Sequence, residues 1–184
     1  LVSSSAERDI KAAVDLGGGR VHAIAQSVAQ GVAPIVDLIL QHHPGLRIHL
    51  VAHSMGTVVA GWTLAGLKKQ IESAFFIQGA LQSHVFSPNH PLAGKESMVK
   101  GYLVATTSDR DEIFSKSGAI GDSRLASHGF EGTGNTRALD VGAVTAASLA
   151  GAKFVNVNAN SEIDKHTGYI KPAIARVHWS LRGY

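Results

Sequence analysis

The stretch Arg47–Gly61 constrains the fold of this chain more than any other. Its first part, up to Val51, is a short apolar run with β-branched residues, which is typical of a buried strand. A tight turn follows at residues 53–56, and apolar residues then recur at the spacing of a helix. The residues that would pack inward from this helix are Val58, Val59, Trp62, Leu64 and Leu67. The stretch therefore predicts a strand that turns sharply into a helix.

Ser54 lies at the apex of this turn, and Ala52 and Gly56 stand two positions to either side of it. The arrangement resembles the nucleophile elbow of the α/β-hydrolase superfamily, in which a strand and a helix pass closely beside a reactive serine. The usual motif is G-x-S-x-G, whereas residues 52–56 read Ala-His-Ser-Met-Gly, which is similar to bacterial lipases and esterases. The alternative is an ordinary turn with Ser54 as the helix N-cap, which gives no reason for small residues on both sides.

The composition is that of one globular domain with a sizeable core. The chain has 184 residues, of which 45% are hydrophobic and 17% charged, and this excludes a disordered chain. The formal net charge is +3, and few aromatic residues lie between the scattered basic ones, so we expect no nucleic-acid partner. No apolar run is long enough to predict a transmembrane segment. The absence of Cys excludes disulfides and thiolate metal sites and leaves the compartment open.

The residues before the elbow predict helices and no strand. Residues 1–15 could form a short helix, which Gly17–Gly19 is expected to break. A long helix is predicted over Val21–His42, and Pro34 is expected to kink it or to begin a new segment. Its apolar residues near helical spacing are Ile24, Val28, Val32, Ile35, Leu38 and Ile39. Gly17–Gly19 also suggests a phosphate-binding loop, but neither a preceding strand nor a following Lys-Ser or Lys-Thr supports it.

Three further strands are predicted after the elbow, at residues 73–80, 101–107 and 152–158. Helical patterns fall within residues 136–149 and at residues 169–182. Strands that alternate with helices predict an α/β fold, here a three-layer α/β/α sandwich around a mostly parallel sheet. In such a sheet the functional site lies beyond the carboxyl ends of the strands.

The hydrolase resemblance implies a catalytic triad in the chain order nucleophile, acid, histidine. Ser54 would be the nucleophile, and the histidine should follow the last strand, where His166 lies in a loop at residues 161–168. His178 falls on the terminal helix, and His53, inside the elbow, is expected to point away from the nucleophile's pocket and to support the turn. The histidines that precede the last strand, and so break the order, are His42, His43, His49, His84, His90 and His128.

Several aspartates are candidates for the acid of the triad. The run Thr-Thr-Ser-Asp-Arg-Asp that ends at Asp111 resembles the T-x-S-x-x-D turn of the superfamily. This resemblance assigns the acid to Asp111 and leaves Asp109 as a turn residue or as the ion-pair partner of the arginine that follows it. Asp140 lies beyond residues 118–135, a Gly-rich segment that is expected to form a loop, and Asp164 is too close in sequence to His166 to be a favourable partner.

Hydrolases of this superfamily stabilise the oxyanion with two backbone N–H groups. The residue after the nucleophile, here Met55, would supply one, and a loop upstream of the elbow would supply the other. No strand is predicted upstream to carry that loop, so the resemblance covers residues 21–184. We therefore expect residues 1–184 to form a single domain that is incomplete at its N-terminus. A missing segment or a partner chain is expected beside the elbow strand.

Residues 81–98 stand where hydrolases carry a cap or lid. Within them, Phe86, Pro88, Pro91 and Leu92 could line an acyl pocket. A plain surface loop is an equally open interpretation.

The resemblance implies a serine hydrolase that cleaves a carboxylic ester or a related small acyl compound without a metal or an organic cofactor. Amide, thioester and lactone substrates share this machinery and stay open. The incomplete sheet favours a second class, a non-catalytic hydrolase-like domain used in binding or assembly. A third class, with less support, is a nucleotide-binding α/β domain that uses Gly17–Gly19.

Overall fold

The computed structural model describes residues 4–114 and 124–181, with side chains over residues 22–114 and 124–180. Its α-helices are α1 (Ser4–His42), α2 (Gly56–Gly66), α3 (Leu125–His128), α4 (Ala146–Leu149) and α5 (Pro172–Leu181). Its strands are β1 (His49–His53), β2 (Ser73–Ile77), β3 (Leu103–Thr107), β4 (Thr136–Asp140) and β5 (Phe154–Asn158). Short 3-10 helices lie at Lys95–Met98 and Val141–Ala143. Strands β2, β3 and β5 fall inside the ranges predicted from the sequence, and β1 is shifted towards the elbow.

The five strands form one parallel sheet in the order β1-β2-β3-β5-β4. This confirms the predicted α/β class and the parallel sheet. The sequence missed β4, because it predicts only an apolar patch and a helix across residues 136–149. Four of the five β4 residues are exposed, so this edge strand lacks the continuous apolar run that marks a buried parallel strand.

Apolar residues pack on both faces of the sheet, because neighbouring residues of a strand point to opposite sides. In β2, Phe76 packs in one cluster with Leu64 of α2. Phe75 packs in a second cluster with Val177 of α5. Helical residues therefore contribute to the core on both sides of the sheet.

Helix α1 runs without a break through Gly17–Gly19, so the predicted break there is wrong. A glycine costs a helix roughly 1 kcal/mol relative to alanine, and the surrounding turns of this long helix tolerate that cost. Pro34 also lies inside α1. A continuous helix leaves no loop at Gly17–Gly19 to surround a phosphate, so the structure gives no support to the nucleotide-binding interpretation.

The stripe of α1 that faces the core consists mainly of small residues. Ala25, Ala29 and Ala33 are buried, as is Leu40. Helices α1 and α2 pack so closely that a Cβ added to Gly66 would lie 3.0 Å from the Ala33 Cβ. The exposed aliphatic residues on the outer face of α1 are Ile24, Val28, Ile35, Leu38 and Ile39. The apolar pattern thus predicted the helix correctly, but the stripe of large residues does not face the core.

One part of α1, His22–His42, is long and apolar enough to cross a membrane by length and composition alone. Its mean hydropathy is 1.5, and 22% of the tested window is buried. Its polar residues interrupt the apolar run, which is why the sequence pattern did not indicate a span. Core helices and signal sequences meet the same criterion, so the absence of a transmembrane segment stays a prediction.

Strand β1 lies at the edge of the sheet and pairs with β2 alone among the described strands. The expected open flank beside the elbow strand is therefore present, although a segment or partner chain that covers it stays a prediction. Val51 of β1 is 47% exposed. Beside it, an apolar cavity of about 600 Å³ is lined by Val51, Phe75, Ile77 and Ile174, among others.

Two further segments differ from prediction, the one before β4 and the terminal helix. Of the expected loop at residues 118–135, the part up to residue 123 lies outside the described residues, and the rest contains the short helix α3. The terminal helix begins at Pro172 rather than at residue 169. Ile170 lies before it and is 83% exposed.

Candidate active site

The elbow places Ser54 in a backbone conformation that is rare for any residue other than glycine. Its φ is +54°, in the left-handed region. The Ser54 N–H donates to the Ile77 carbonyl at 3.1 Å. The Ser54 carbonyl accepts from the Thr57 N–H at 3.0 Å, the Thr57 hydroxyl at 2.7 Å and the Ala80 N–H at 3.2 Å. These contacts hold the strained turn, which is typical of a functional serine.

Ser54 does not serve as the cap of α2. The N-cap of α2 is Met55, and no side chain caps the helix. The packing of the turn is looser than expected, because a Cβ added to Gly56 would lie 3.9 Å from the Ala52 Cβ, an ordinary contact. A small residue such as alanine would therefore also fit at position 56, and the elbow does not require glycine itself there.

Hydrogen bonds join Ser54, His166 and Asp111 at the carboxyl ends of three strands. The Ser54 Oγ lies 2.8 Å from the His166 Nε2, and the His166 Nδ1 lies 2.8 Å from the Asp111 Oδ2. With the proton on Nδ1, His166 donates to the carboxylate and accepts from the serine hydroxyl. This is the geometry in which an imidazole can remove the hydroxyl proton while a carboxylate orients it. His166 and Asp111 are buried, whereas Ser54 is only partly so.

The Asp111 carboxylate is fully buried and accepts four hydrogen bonds. Its Oδ1 accepts from the N–H groups of Ile113 at 2.9 Å and Phe114 at 3.0 Å. Its Oδ2 accepts from His166 and from the Gln78 amide. Burial raises the pKa of the Asp111 carboxyl, but the hydrogen bonds from His166, Phe114 and Ile113 outweigh burial and hold this pKa below its ordinary value of 3.8. Asp111 is therefore ionised at neutral pH.

The other aspartate candidates lie in different contacts. Asp109 is exposed, and its carboxylate accepts from the Asn160 amide at 3.2 Å. Asp140 is exposed and accepts from Asn158, and Asp164 is exposed as well. The geometry therefore pairs His166 with Asp111, the carboxylate that the sequence motif also favours.

His53 holds the loop that carries His166. The His53 Nε2 lies 3.1 Å from the His166 carbonyl oxygen, to which it can donate, and its ring stacks on Tyr169 with centroids 4.0 Å apart. The side chain thus supports the histidine loop rather than only the turn of the elbow. Burial lowers the pKa of His53 below 6.5 and outweighs the hydrogen bond to His166, which raises it. A neutral His53 keeps the Nε2 proton for this contact.

Two further contacts were missed in the sequence. The His166 N–H donates to the Glu112 Oε2 at 2.7 Å. Glu112 therefore binds the N–H of His166, and His53 binds its carbonyl oxygen. The Phe114 ring packs edge-on against the His166 ring, with centroids 4.9 Å apart. The closeness of Glu112 and Phe114 to Asp111 in sequence was a signal, because a turn that presents one carboxylate also positions its neighbours.

The Met55 N–H, the expected oxyanion donor, lies at the start of α2. No acceptor for this N–H is found among the described residues. The second donor has no counterpart in the described part of the chain, because residues 4–48 form α1 and a turn and provide no upstream strand.

The expected lid, residues 81–98, packs partly into the core. Phe86 and Leu92 are buried in the same cluster as Phe76, whereas Pro91 is exposed. The burial of Phe86 and Leu92 is not that of a plain surface loop, and the acyl pocket stays a prediction.

Neither a known relative nor a metal site narrows the chemistry. Comparisons of the chain with protein-family models, curated proteins and solved structures gave no match. In the ranges that the structure describes, no group of three or more His, Cys, Asp or Glu side chains could hold a metal ion. Any functional assignment therefore depends on the geometry around Ser54.

Proposed function

We propose that this chain is a serine hydrolase of the α/β-hydrolase type that cleaves a carboxylic ester or a related acyl compound. The observation that carries the proposal is the continuous set of hydrogen bonds from Ser54 through His166 to the buried Asp111. The left-handed backbone of Ser54 at the end of β1 supports it independently.

In the first half of the reaction, the Ser54 Oγ attacks the carbonyl carbon while the His166 Nε2 takes the hydroxyl proton. Asp111 stabilises the imidazolium that forms. The Met55 N–H donates to the oxygen that gains negative charge in the tetrahedral intermediate. His166 then gives the proton to the leaving alcohol, the carbon–oxygen bond breaks, and an acyl group remains on Ser54.

In the second half, His166 removes a proton from water, which attacks the acyl carbon. Collapse of the second tetrahedral intermediate breaks the bond to the Ser54 Oγ, which regains its proton from His166. The products are a carboxylic acid and free enzyme, so the proposed chemistry needs no metal or organic cofactor.

Kinetics on a short-chain aryl ester test the proposal. Ser54→Ala should lower kcat/KM roughly 1,000-fold or more, because it removes the nucleophile. Its unfolding midpoint should stay near that of wild type. Ser97→Ala is the matched control, since Ser97 is exposed and its hydroxyl donates to the Gly94 carbonyl of its own turn, away from Ser54. Equal activity of wild type and Ser54→Ala would contradict the proposal.

A non-catalytic domain for binding or assembly is the second candidate. Two observations favour it: among the described strands β1 pairs on one side only, and the described residues provide no second oxyanion donor. A folded wild-type protein that hydrolyses no short-chain ester would support this alternative.

A further inference from the structure

Gln78 is a buried amide that the proposed reaction does not yet use. It directly follows β2 and has no exposed surface. Its φ is +44°, so this non-glycine residue also adopts the left-handed conformation. A long polar side chain in an unfavourable backbone conformation and a fully buried position indicates a specific role.

Thr106 of β3 fixes the orientation of the Gln78 amide. The Thr106 hydroxyl accepts from the Gln78 N–H at 3.0 Å and donates to the Gln78 Oε1 at 3.0 Å. With the oxygen held in this way, the Nε2 faces the Asp111 Oδ2 at 2.7 Å. The reversed amide would place two acceptors, Oε1 and Oδ2, against each other. The hydrogen-bond pattern therefore assigns the donor end to Asp111.

Gln78 and His166 donate to the same oxygen of Asp111. The other oxygen is held by the backbone N–H groups of Ile113 and Phe114. The amide thus opposes rotation of the carboxylate away from the imidazole. Because Gln78 is neutral, it does not cancel the charge that stabilises the imidazolium.

We infer that Gln78 is a positioning residue of the proposed hydrolase site, which holds Asp111 in the orientation that His166 requires. The inference rests on the proposed function for its catalytic consequence. The hydrogen bonds run in series from Thr106 through Gln78, Asp111 and His166 to Ser54. The hydrogen bonds between Thr106 and Gln78 therefore influence the nucleophile through the acid.

The main test compares Gln78→Met with Gln70→Met. Gln70 is exposed, and its amide bonds the Ser97 carbonyl at 2.7 Å, away from the triad. Methionine has nearly the length of glutamine but no hydrogen-bond donor. In Gln78→Met, kcat per serine titrated with a fluorophosphonate should fall roughly 10- to 100-fold, the loss expected for one hydrogen bond to a charged group. KM should change little, and Gln70→Met should keep both constants.

A merely structural role would give a different result. Gln78→Met would then lower the yield and the unfolding midpoint but leave kcat per titrated serine unchanged, and this would overturn the inference.

Gln78→Glu keeps the inference testable if Gln78→Met does not fold. A protonated carboxyl at this position can donate the same hydrogen bond, and two adjacent buried carboxyls readily share one proton. Activity of Gln78→Glu should therefore be closest to wild type at mildly acidic pH and fall on the alkaline side, where the second proton leaves. If the pH profile of Gln78→Glu matched that of wild type, the result would count against the positioning role.

A third readout needs no turnover. The His166 Nδ1–H should give a downfield proton resonance in ¹⁵N-edited NMR spectra of wild type and Gln70→Met, and exchange should broaden it in Gln78→Met. An unchanged resonance in Gln78→Met would refute the positioning role alone. A wild type that neither hydrolyses esters nor reacts with the fluorophosphonate would instead refute the proposed function.

Discussion

The cluster around Ser54 differs from two exposed parts of the molecule, the edge of β1 and the outer face of α1, in how many of its groups have partners among the described residues. In the cluster, the buried carboxylate of Asp111 accepts four hydrogen bonds, and the main chain of His166 is held by Glu112 and His53. By contrast, β1 pairs on one side only among the described strands, and α1 presents large aliphatic residues outward.

This difference separates two requirements of the proposed enzyme. The proposed nucleophile, histidine and acid, Ser54, His166 and Asp111, lie in hydrogen-bond contact within the described residues. The proposed oxyanion site has Met55 alone within the described residues, since the second donor is expected from a loop after an upstream strand, and residues 4–48 provide no such strand. We therefore expect Ser54 to be reactive, and we expect turnover to be limited by stabilisation of the oxyanion. Removal of one oxyanion donor typically costs roughly 100- to 1,000-fold in kcat.

The largest expected effect concerns the acid within the cluster. Asp111→Asn should lower kcat/KM roughly 1,000-fold or more, because an amide cannot stabilise the imidazolium and favours the wrong tautomer. Asp109→Asn is the matched control, and its exposed contact with Asn160 predicts a change of a few-fold at most. His166→Ala should lose activity on a similar scale, with non-additive losses in the double variant. Damage from Asp109→Asn together with a silent Asp111→Asn would reverse the assignment.

A smaller effect tests the outer face of α1, with the same substitution on its buried and its exposed side. Leu40→Ala removes a buried side chain and should lower the free energy of unfolding by roughly 2–5 kcal/mol. Leu38 is 54% exposed, so Leu38→Ala should stay within about 0.5 kcal/mol of wild type. Urea denaturation measures both. Equal losses would show that the outer face of α1 is covered in solution, for example by self-association.

The smallest effect is the pH dependence of stability. The pKa of His53 is below 6.5 in the folded protein, so the unfolded chain binds this proton more readily. The stability that His53 contributes is present above pH 6.5 and is lost as pH falls through the lower folded pKa. His53→Gln keeps a donor for the His166 carbonyl but cannot titrate, so its unfolding free energy should fall less between pH 7 and 5. Identical slopes would contradict this account.

Asp111 acts on stability in the same direction at lower pH. Its pKa is below 3.8 in the folded protein. Its contribution is therefore present above pH 3.8 and is lost as pH falls through the folded value. The two groups together predict acid-induced loss of stability in two pH ranges.

The elbow could be predicted from the sequence because its signal is local. Residues 52–56 carry the motif in adjacent positions, and an apolar strand and a helix flank it. The order of chain segments then placed Asp111 and His166 at neighbouring strand ends. Parallel strands bring their carboxyl ends to one edge of a sheet. The hydrolase resemblance, which assigned Asp111 and His166 to loops after two of these strands, therefore predicted that the two side chains meet.

Features that depend on tertiary contacts could not be predicted. The two stripes of α1 are both apolar, and only packing against α2 shows that the alanines face inward. Strand β4 is exposed, so it has no apolar run. Gln78 precedes a glycine at the end of a strand, which is typical of a turn, and its role emerges only when Thr106 and Asp111 lie beside it.

The most direct test of the central claim is mass spectrometry of the wild-type protein after reaction with a fluorophosphonate. The account predicts one adduct per chain on the peptide that contains Ser54, and its rate of formation should fall sharply in Asp111→Asn. An adduct on a different serine, or no adduct on a protein shown to be folded, would contradict the claim that Ser54 is an activated nucleophile.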